Sequence, residues 1–390
     1  MTVRVREFLA GPAAGSDLLA LGEPTHGEPA FALLRNEIFA ELVEAGFRSI
    51  AVESDRLAAL TVDAYVQGDA GTLDEALAAG FSHGFGPLPG NPELVSWMRA
   101  YNSGRPAAER LTFHGFDAPL EMTSAPSPRR YLAHVLAYLG DLVDPPADLD
   151  GLVGADDRWT DFAAIMDHSR SVGRSPEALR LRAVADDLRT ALYANAPRLV
   201  ASSSPARWRR AALHADVAAR VLGYHAEAAA PAPQAVRTSR LLGVRDAWMA
   251  QNLLDIRAHE RHRGPTLVFA NNRHLQRPPS TWQLGGMDLS WSGAGSIVSA
   301  LLGLRYAVIA GSLGASAALG LGAAPAGTAE AALSEAADGP TLFDRPGLHA
   351  TLAGRALTGR ADMTPEQGYF PLDAELIATS DAVLHVPAVH

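Results

Sequence analysis

Short apolar runs punctuate the chain at Asp17–Leu21, Arg48–Val52, Leu111–Phe116, Thr266–Ala270, Tyr306–Ala310 and Asp381–Val386. Their Val, Ile, Leu and Phe content, with little regular alternation, is the pattern of strands buried on both faces of a sheet. Between the first two, Phe31, Leu34, Ile38, Leu42 and Val43 fall close to one face of a helical wheel. Arg35, Glu37, Glu41 and Glu44 are interleaved, and Gly46 takes a C-cap position. This strand–helix–strand unit predicts a parallel pair with a right-handed crossover.

From about Pro128 to His262 the period becomes helical and the composition Ala-, Leu- and Arg-rich. Helices are predicted at Tyr131–Asp144, Glu177–Asn195, Arg207–Glu227 and Leu241–Arg261, and the pieces Asp144-Pro145-Pro146 and Pro231-Ala232-Pro233 separate them. The expectation is an α/β core made of residues 1–127 and 263–390, with a central, largely parallel sheet flanked by helices. A mostly helical lobe, 128–262, is inserted in it and forms a cleft. A simpler arrangement has the same helices merely covering the sheet. The Ala/Gly-rich region from Gly311 to Gly339 reads as loops around short elements, and no internal repeat is evident.

Composition narrows the chemistry. The 390 residues are 48% hydrophobic and 19% charged, with a net charge of −10, which argues against a nucleic-acid footprint. There is no Lys, which removes Schiff-base, pyridoxal-phosphate and P-loop lysines. There is no Cys, which removes a thiol nucleophile, disulfides and thiolate metal sites. The first residues are too charged for a secretory leader, and the longest apolar window, 307–323, is short and broken by Gly and Ser. A soluble cytoplasmic protein acting on a small molecule is expected, with neither nucleic acid nor membrane as partner.

Four runs end in polar groups that a strand does not need. Leu18-Leu19-Ala20 leads into Leu21-Gly22-Glu23-Pro24-Thr25-His26-Gly27-Glu28, and the second run ends in Glu53, with Ser54 and Asp55 beyond. The third contains His114 and ends Gly115-Phe116-Asp117, and the fourth runs into Asn271-Asn272-Arg273-His274. Parallel neighbours bring their carboxyl ends to one edge, where α/β proteins place their chemistry. An imidazole there, with a carboxylate to fix its tautomer, is a candidate general base. Each group also has a plain structural reading. Glu28 and Pro29 start a helix. Glu53 serves as a cap or as an ion-pair partner of Arg35, and His114 is a satisfied core histidine. His83, in the Gly/Pro-rich loop after Phe81, is either a substrate contact or a solvated side chain. His259-Glu260-Arg261-His262 is one residue short of metalloprotease spacing. Gly293-Ala294-Gly295-Ser296 is not a nucleophile elbow, and Gly84-Phe85-Gly86 does not follow a strand.

Taken in order, the motifs resemble the erythromycin esterase family. They are Gly22-Glu23-Pro24-Thr25-His26-Gly27, Arg35 nine positions after His26, Val52-Glu53, and Gly115-Phe116-Asp117. They continue with Arg245-Asp246-Ala247-Trp248-Met249-Ala250-Gln251-Asn252, the segment Asn271-Asn272-Arg273-His274, and Asp381 to His385. The resemblance runs from about residue 18 to 387. It implies hydrolysis of an ester or macrolactone by activated water without an acyl-enzyme, on an α/β core with a helical lobe. His26 would be the base, Glu23 and Glu53 would orient it or the water, and Arg35 would hold the carboxylates. His274 would stabilise the oxyanion or protonate the leaving alkoxide, and His83, His114, Asp117, Asn271 and Arg273 would contact substrate. No cofactor is implied.

One position departs from the family pattern. Asn271 stands where the family usually has the first His of its second motif. Asn donates a hydrogen bond but does not shuttle a proton at neutral pH. The substitution admits a second reading, a cyclisation, elimination or isomerisation run by the same groups in secondary metabolism. A divalent metal held by Glu23, His26 and Glu53 is a third, and a binding protein that retains the cleft a fourth.

Overall fold

The computed structural model describes residues 5–389 apart from Pro12, Ala70, Met122, Thr123, Pro145 and Ala147. All six apolar runs are strands: β1 Leu18–Glu23, β2 Ser49–Asp55, β3 Thr112–Asp117, β4 Thr266–Asn271, β7 Tyr306–Leu313 and β9 Ala382–Val386. Three further strands are β5 Ser280–Leu284, β6 Met287–Trp291 and β8 Thr341–Asp344. Seven strands form one sheet in the order β3-β2-β4-β1-β7-β9-β8, parallel except for β8, which runs antiparallel along the edge against β9. The protein is thus α/β with a largely parallel sheet flanked by helices, as the apolar runs predict. β5 and β6 make a separate two-stranded ribbon. Its turn, Gly285-Gly286, has both residues at positive φ, as a tight hairpin requires.

Chain contacts divide the protein into two compact units. The first comprises Met1–Asp117, Met249–Thr281 and Ser290–His390, and the second Ala118–Trp248 and Trp282–Leu289. In the first unit the strands alternate between two cores. Leu19, Leu21, Ile50, Val52 and Phe269 pack with Phe31, Leu34, Ile38, Phe39 and Leu42 of the helix Pro29–Glu44. Leu18, Ala20, Ala51 and Val268 pack on the other face with Met249, Leu253 and Ile256. That helix begins where Glu28 accepts from the Ala30 amide and Pro29 takes the first turn. It ends at Ala45, with Gly46 beyond it at φ +100°. The helices Ala59–Gln67, Leu73–Gly80 and Asn91–Asn102 fill the connection from β2 to β3.

In the second unit the helices Arg129–Leu139, Pro176–Ala194 and Pro205–Ala228 bury one stripe each. Ser175 and Ser204 cap the latter two, each followed by Pro. Among the described residues no helix is long and apolar enough to cross a membrane.

The carboxyl ends of β1, β4 and β7 are locked by a side chain. Asn272, just past β4, donates to the Gly311 carbonyl at 2.8 Å and accepts from the Gly311 amide at 2.9 Å. The lock needs Gly22, because a Cβ there would lie 2.1 Å from Asn272 Oδ1. It sets Glu23, in register with Asn271, at the edge of the sheet.

Candidate active site

Glu53 joins two imidazoles at this edge. Its Oε1 lies 3.7 Å from His26 Nε2 and 3.3 Å from His274 Nε2, while its Oε2 accepts from the Asn271 amide at 3.0 Å. Glu23 Oε1 lies 2.7 Å from His26 Nδ1. The two carboxylates and His274 are buried, whereas the His26 side chain keeps 35% exposure. That accessibility, with a carboxylate at each ring nitrogen, is what a group exchanging protons with a ligand needs. Burial works to lower the His26 pKa, but the charge of Glu53 and the bond and charge of Glu23 outweigh it, so the net shift is upward. Burial is the largest influence on the Glu23 carboxyl and, with the charge of Glu53, raises it against the lowering by His26 and Arg35.

Arg35 does not pair with either carboxylate. Its guanidinium donates to Asn36 Oδ1, to Asn91 Oδ1 at 2.9 Å and to the Gly90 carbonyl at 2.9 Å, and it lies over the Phe269 ring at 4.8 Å. The expected direct grip on the carboxylates is therefore corrected to a longer-range one. Arg35 acts on Glu23 through its charge without contact, and burial, outweighing the charges of Glu23 and Glu93, pulls its own pKa down to about 10. Glu28 keeps the helix-start role, with Ser316 donating to its second oxygen.

The remaining candidates divide. Asn271 places its side-chain oxygen on the Arg273 amide at 3.0 Å, capping the short turn Asn272–Leu275, so its NH₂ side is the donor left for a ligand. Arg273 leans the other way, over Phe370 at 5.1 Å and 3.8 Å from Asp373, with its Nε unpartnered. His83 meets Asp117 at 3.0 Å. His114 does not join this group. It bonds Glu260 at 2.8 Å, and it is paired across the sheet with Ala51, whose face carries the second core. The core-histidine reading describes its surroundings. Sequence reasoning passed over Asn91 and Ser316, and it named Asn272 only within its segment and not for its bonds to Gly311, because their partners are distant in sequence.

A pocket of about 100 Å³ opens beside His26. Ala32, Phe81, Phe85, Leu88, Pro89 and Phe269 give it apolar walls, with Glu23, Glu53 and Arg35 at its polar end. Among the described residues no cluster of three or more His, Asp or Glu has the arrangement of a metal site.

Fold and site define an α/β protein with an acid–base cluster at the carboxyl ends of its strands. The family model for erythromycin esterase matches residues 42–389, and the chain belongs to that family. Membership supports an esterase-like hydrolase in general terms. The Glu23–His26 loop precedes the matched span. Three solved structures share the fold. A protein from Bacillus cereus is 17% identical, with TM-score 0.69, covering 100% of this chain and 92% of its own. The erythromycin esterase mutant EreC in its open conformation is 19% identical, with TM-score 0.68, covering 100% and 95%. A succinoglycan biosynthesis protein is 16% identical, with TM-score 0.65, covering 97% and 90%. A search of curated proteins finds no match.

Proposed function

We propose that the protein hydrolyses an ester or lactone in a natural product, with His26 as the general base that activates water. The supporting observation is the Glu23–His26–Glu53–His274 cluster, in which the most accessible member is an imidazole bonded at Nδ1 by Glu23, with the Glu53 carboxylate 3.7 Å from its Nε2. Glu23 fixes the ring through Nδ1, leaving Nε2 to take the proton from water. Glu53 orients that water and holds His274, which stabilises the oxyanion together with the Asn271 amide group. Arg35 keeps net charge at the cluster tolerable, whereas Arg273, turned toward Phe370 and Asp373, takes no part in this reading. Replacing His26 by Ala lowers kcat/KM by about 10²–10⁴-fold on a true substrate. Wild-type turnover by that variant would reassign the base.

Asn271 supports a second reading, a non-hydrolytic acid–base reaction on the same groups. Product mass separates the two: hydrolysis in H₂¹⁸O adds labelled water, isomerisation leaves mass unchanged and elimination removes water.

A further inference from the structure

The pocket beside His26 lies wholly within the first unit. Much of its lining is the loop 81–90, between the helices Leu73–Gly80 and Asn91–Asn102. Arg35 holds that loop. It donates to the Gly90 carbonyl and to Asn91 Oδ1, each at 2.9 Å, and Asn36 donates to the same carbonyl at 2.7 Å. Asn91 in turn donates to the Phe85 carbonyl at 2.8 Å. The loop lies this close because Gly90, at φ +93°, has no side chain: a Cβ there would stand 2.8 Å from the Ala32 Cβ. Pinned at its middle and at its end, the loop sets Phe85 against the His26 ring, with centroids 4.9 Å apart. Phe81, Leu88 and Pro89 continue the apolar lining, and Ala32 and Phe269 complete it. Leu88 keeps 38% exposure. An exposed leucine beside an apolar cavity gains burial only when something apolar fills that cavity.

We infer that this cavity takes a compact, uncharged apolar group of about three or four carbons next to the scissile bond, with Leu88 limiting its length. This deepens the hydrolytic reading above and rests on it for the position of that bond. An apolar cavity of about 150 Å³ takes a benzene ring, so one of about 100 Å³ takes a short chain. Each methylene that leaves water for such a lining raises affinity about fourfold. The polar end, where Glu23, Glu53 and His26 lie, belongs to water and the carbonyl, and its two carboxylates disfavour an anion. Because the loop is pinned, the wall does not yield to a longer chain, and the gain stops where the cavity ends. The group belongs to the acid or to the alcohol half of the ester, and the chemistry asked of it is the same in both.

Binding is measured apart from turnover. 1-Alkanols from methanol to octanol are titrated while the His26 ring signals are followed by NMR. Affinity rises about fourfold per methylene as far as butanol and then stops rising. In Leu88→Ala the rise continues further along the series, and in Leu88→Trp it ends earlier. Leu88 is exposed, so both variants fold. Turnover of ethyl esters of lengthening acids, and of acetates of lengthening alcohols, then locates the scissile bond. The series whose kcat/KM follows the same rise and limit identifies the half that enters the cavity. Alkanol affinity without a length limit, or a limit that neither Leu88 variant moves, overturns the assignment and leaves hydrolysis intact. The expected limit for alkanols, with ester turnover indifferent to length in both series, overturns the placement beside the scissile bond. The expected limit with hydrolysis of no ester removes the hydrolytic reading and that placement, but not the preference of the cavity.

Discussion

Glu53 is the residue on which both imidazoles depend, because one of its oxygens serves each ring and the other is held by the Asn271 amide. Its charge is the largest of the influences raising the His26 pKa. The base proposed above works only when deprotonated, so the proposal predicts that activity is lost as pH falls through the His26 pKa and that kcat/KM rises with pH to a midpoint above the ordinary histidine value of 6.5. In Glu53→Gln that raising influence is gone and the residual activity has its acid limb at lower pH. A pH–rate profile of the two proteins measures this, and coincident limbs would remove Glu53 from control of the base. Glu23, His26, Glu53 and His274 were legible in the sequence because each is a polar group at or just past the end of a buried apolar strand. The distant partners of Arg35 were not, since Asn91 and Gly90 lie more than fifty positions away and only Asn36 is adjacent in sequence. A carboxylate partner was the natural expectation for a buried guanidinium, and the structure gives it amide and carbonyl oxygens instead.

At the scale of elements, the site is only as well placed as the ends of β1, β4 and β7. These are held by the double hydrogen bond between Asn272 and Gly311 and by the bare Cα of Gly22 against it. The Asn272 side chain cannot swing aside without giving up both bonds. Gly22→Ala therefore costs about 1–3 kcal/mol by overpacking, and it shifts Glu23 enough to reduce turnover. Asn272→Ala costs a similar amount by leaving the Gly311 amide and carbonyl unpaired. The double variant is destabilised by less than the sum, because the atom struck by the new methyl is gone. Denaturant unfolding of the four proteins measures the coupling, and strict additivity would show that Gly22 and Asn272 act separately. The six apolar runs could be read because strands buried on both faces leave no polar positions to disguise them. The ribbon of β5 and β6 escaped notice because Ser280–Leu284 and Met287–Trp291 bury only alternate positions, although Gly285-Gly286 marks their turn. The helix Ala59–Gln67 buries only Ala59, Val62 and Val66, too few positions for its period to stand out.

For the molecule as a whole, each unit carries a histidine kept neutral by burial. In the first, His385 lies between Ser312 and Ser334 at 2.9 and 2.8 Å, and burial pulls its pKa down to about 4. In the second, burial also pulls His225 down to about 4, against the bond to the Pro126 carbonyl that raises it. The unfolded chain protonates both near 6.5, so between about 6.5 and 4 it binds more protons than the folded chain does. Stability is then fully present above pH 6.5 and is lost as pH falls toward 4, by about 3 kcal/mol for each histidine. The buried carboxyls Glu23, Asp63 and Glu330 have the opposite sign. Burial raises each of them, so they favour the folded state at low pH and withdraw that support as pH rises. The slope of the intact protein mixes the two effects, and only a difference isolates the histidine. His385→Gln retains hydrogen-bonding atoms for the two serines but does not titrate. Its unfolding free energy therefore falls less steeply than wild type between pH 6.5 and 4, and the two curves converge toward acid. Urea unfolding across that range checks it, and parallel curves would mean that His385 is protonated in the folded protein.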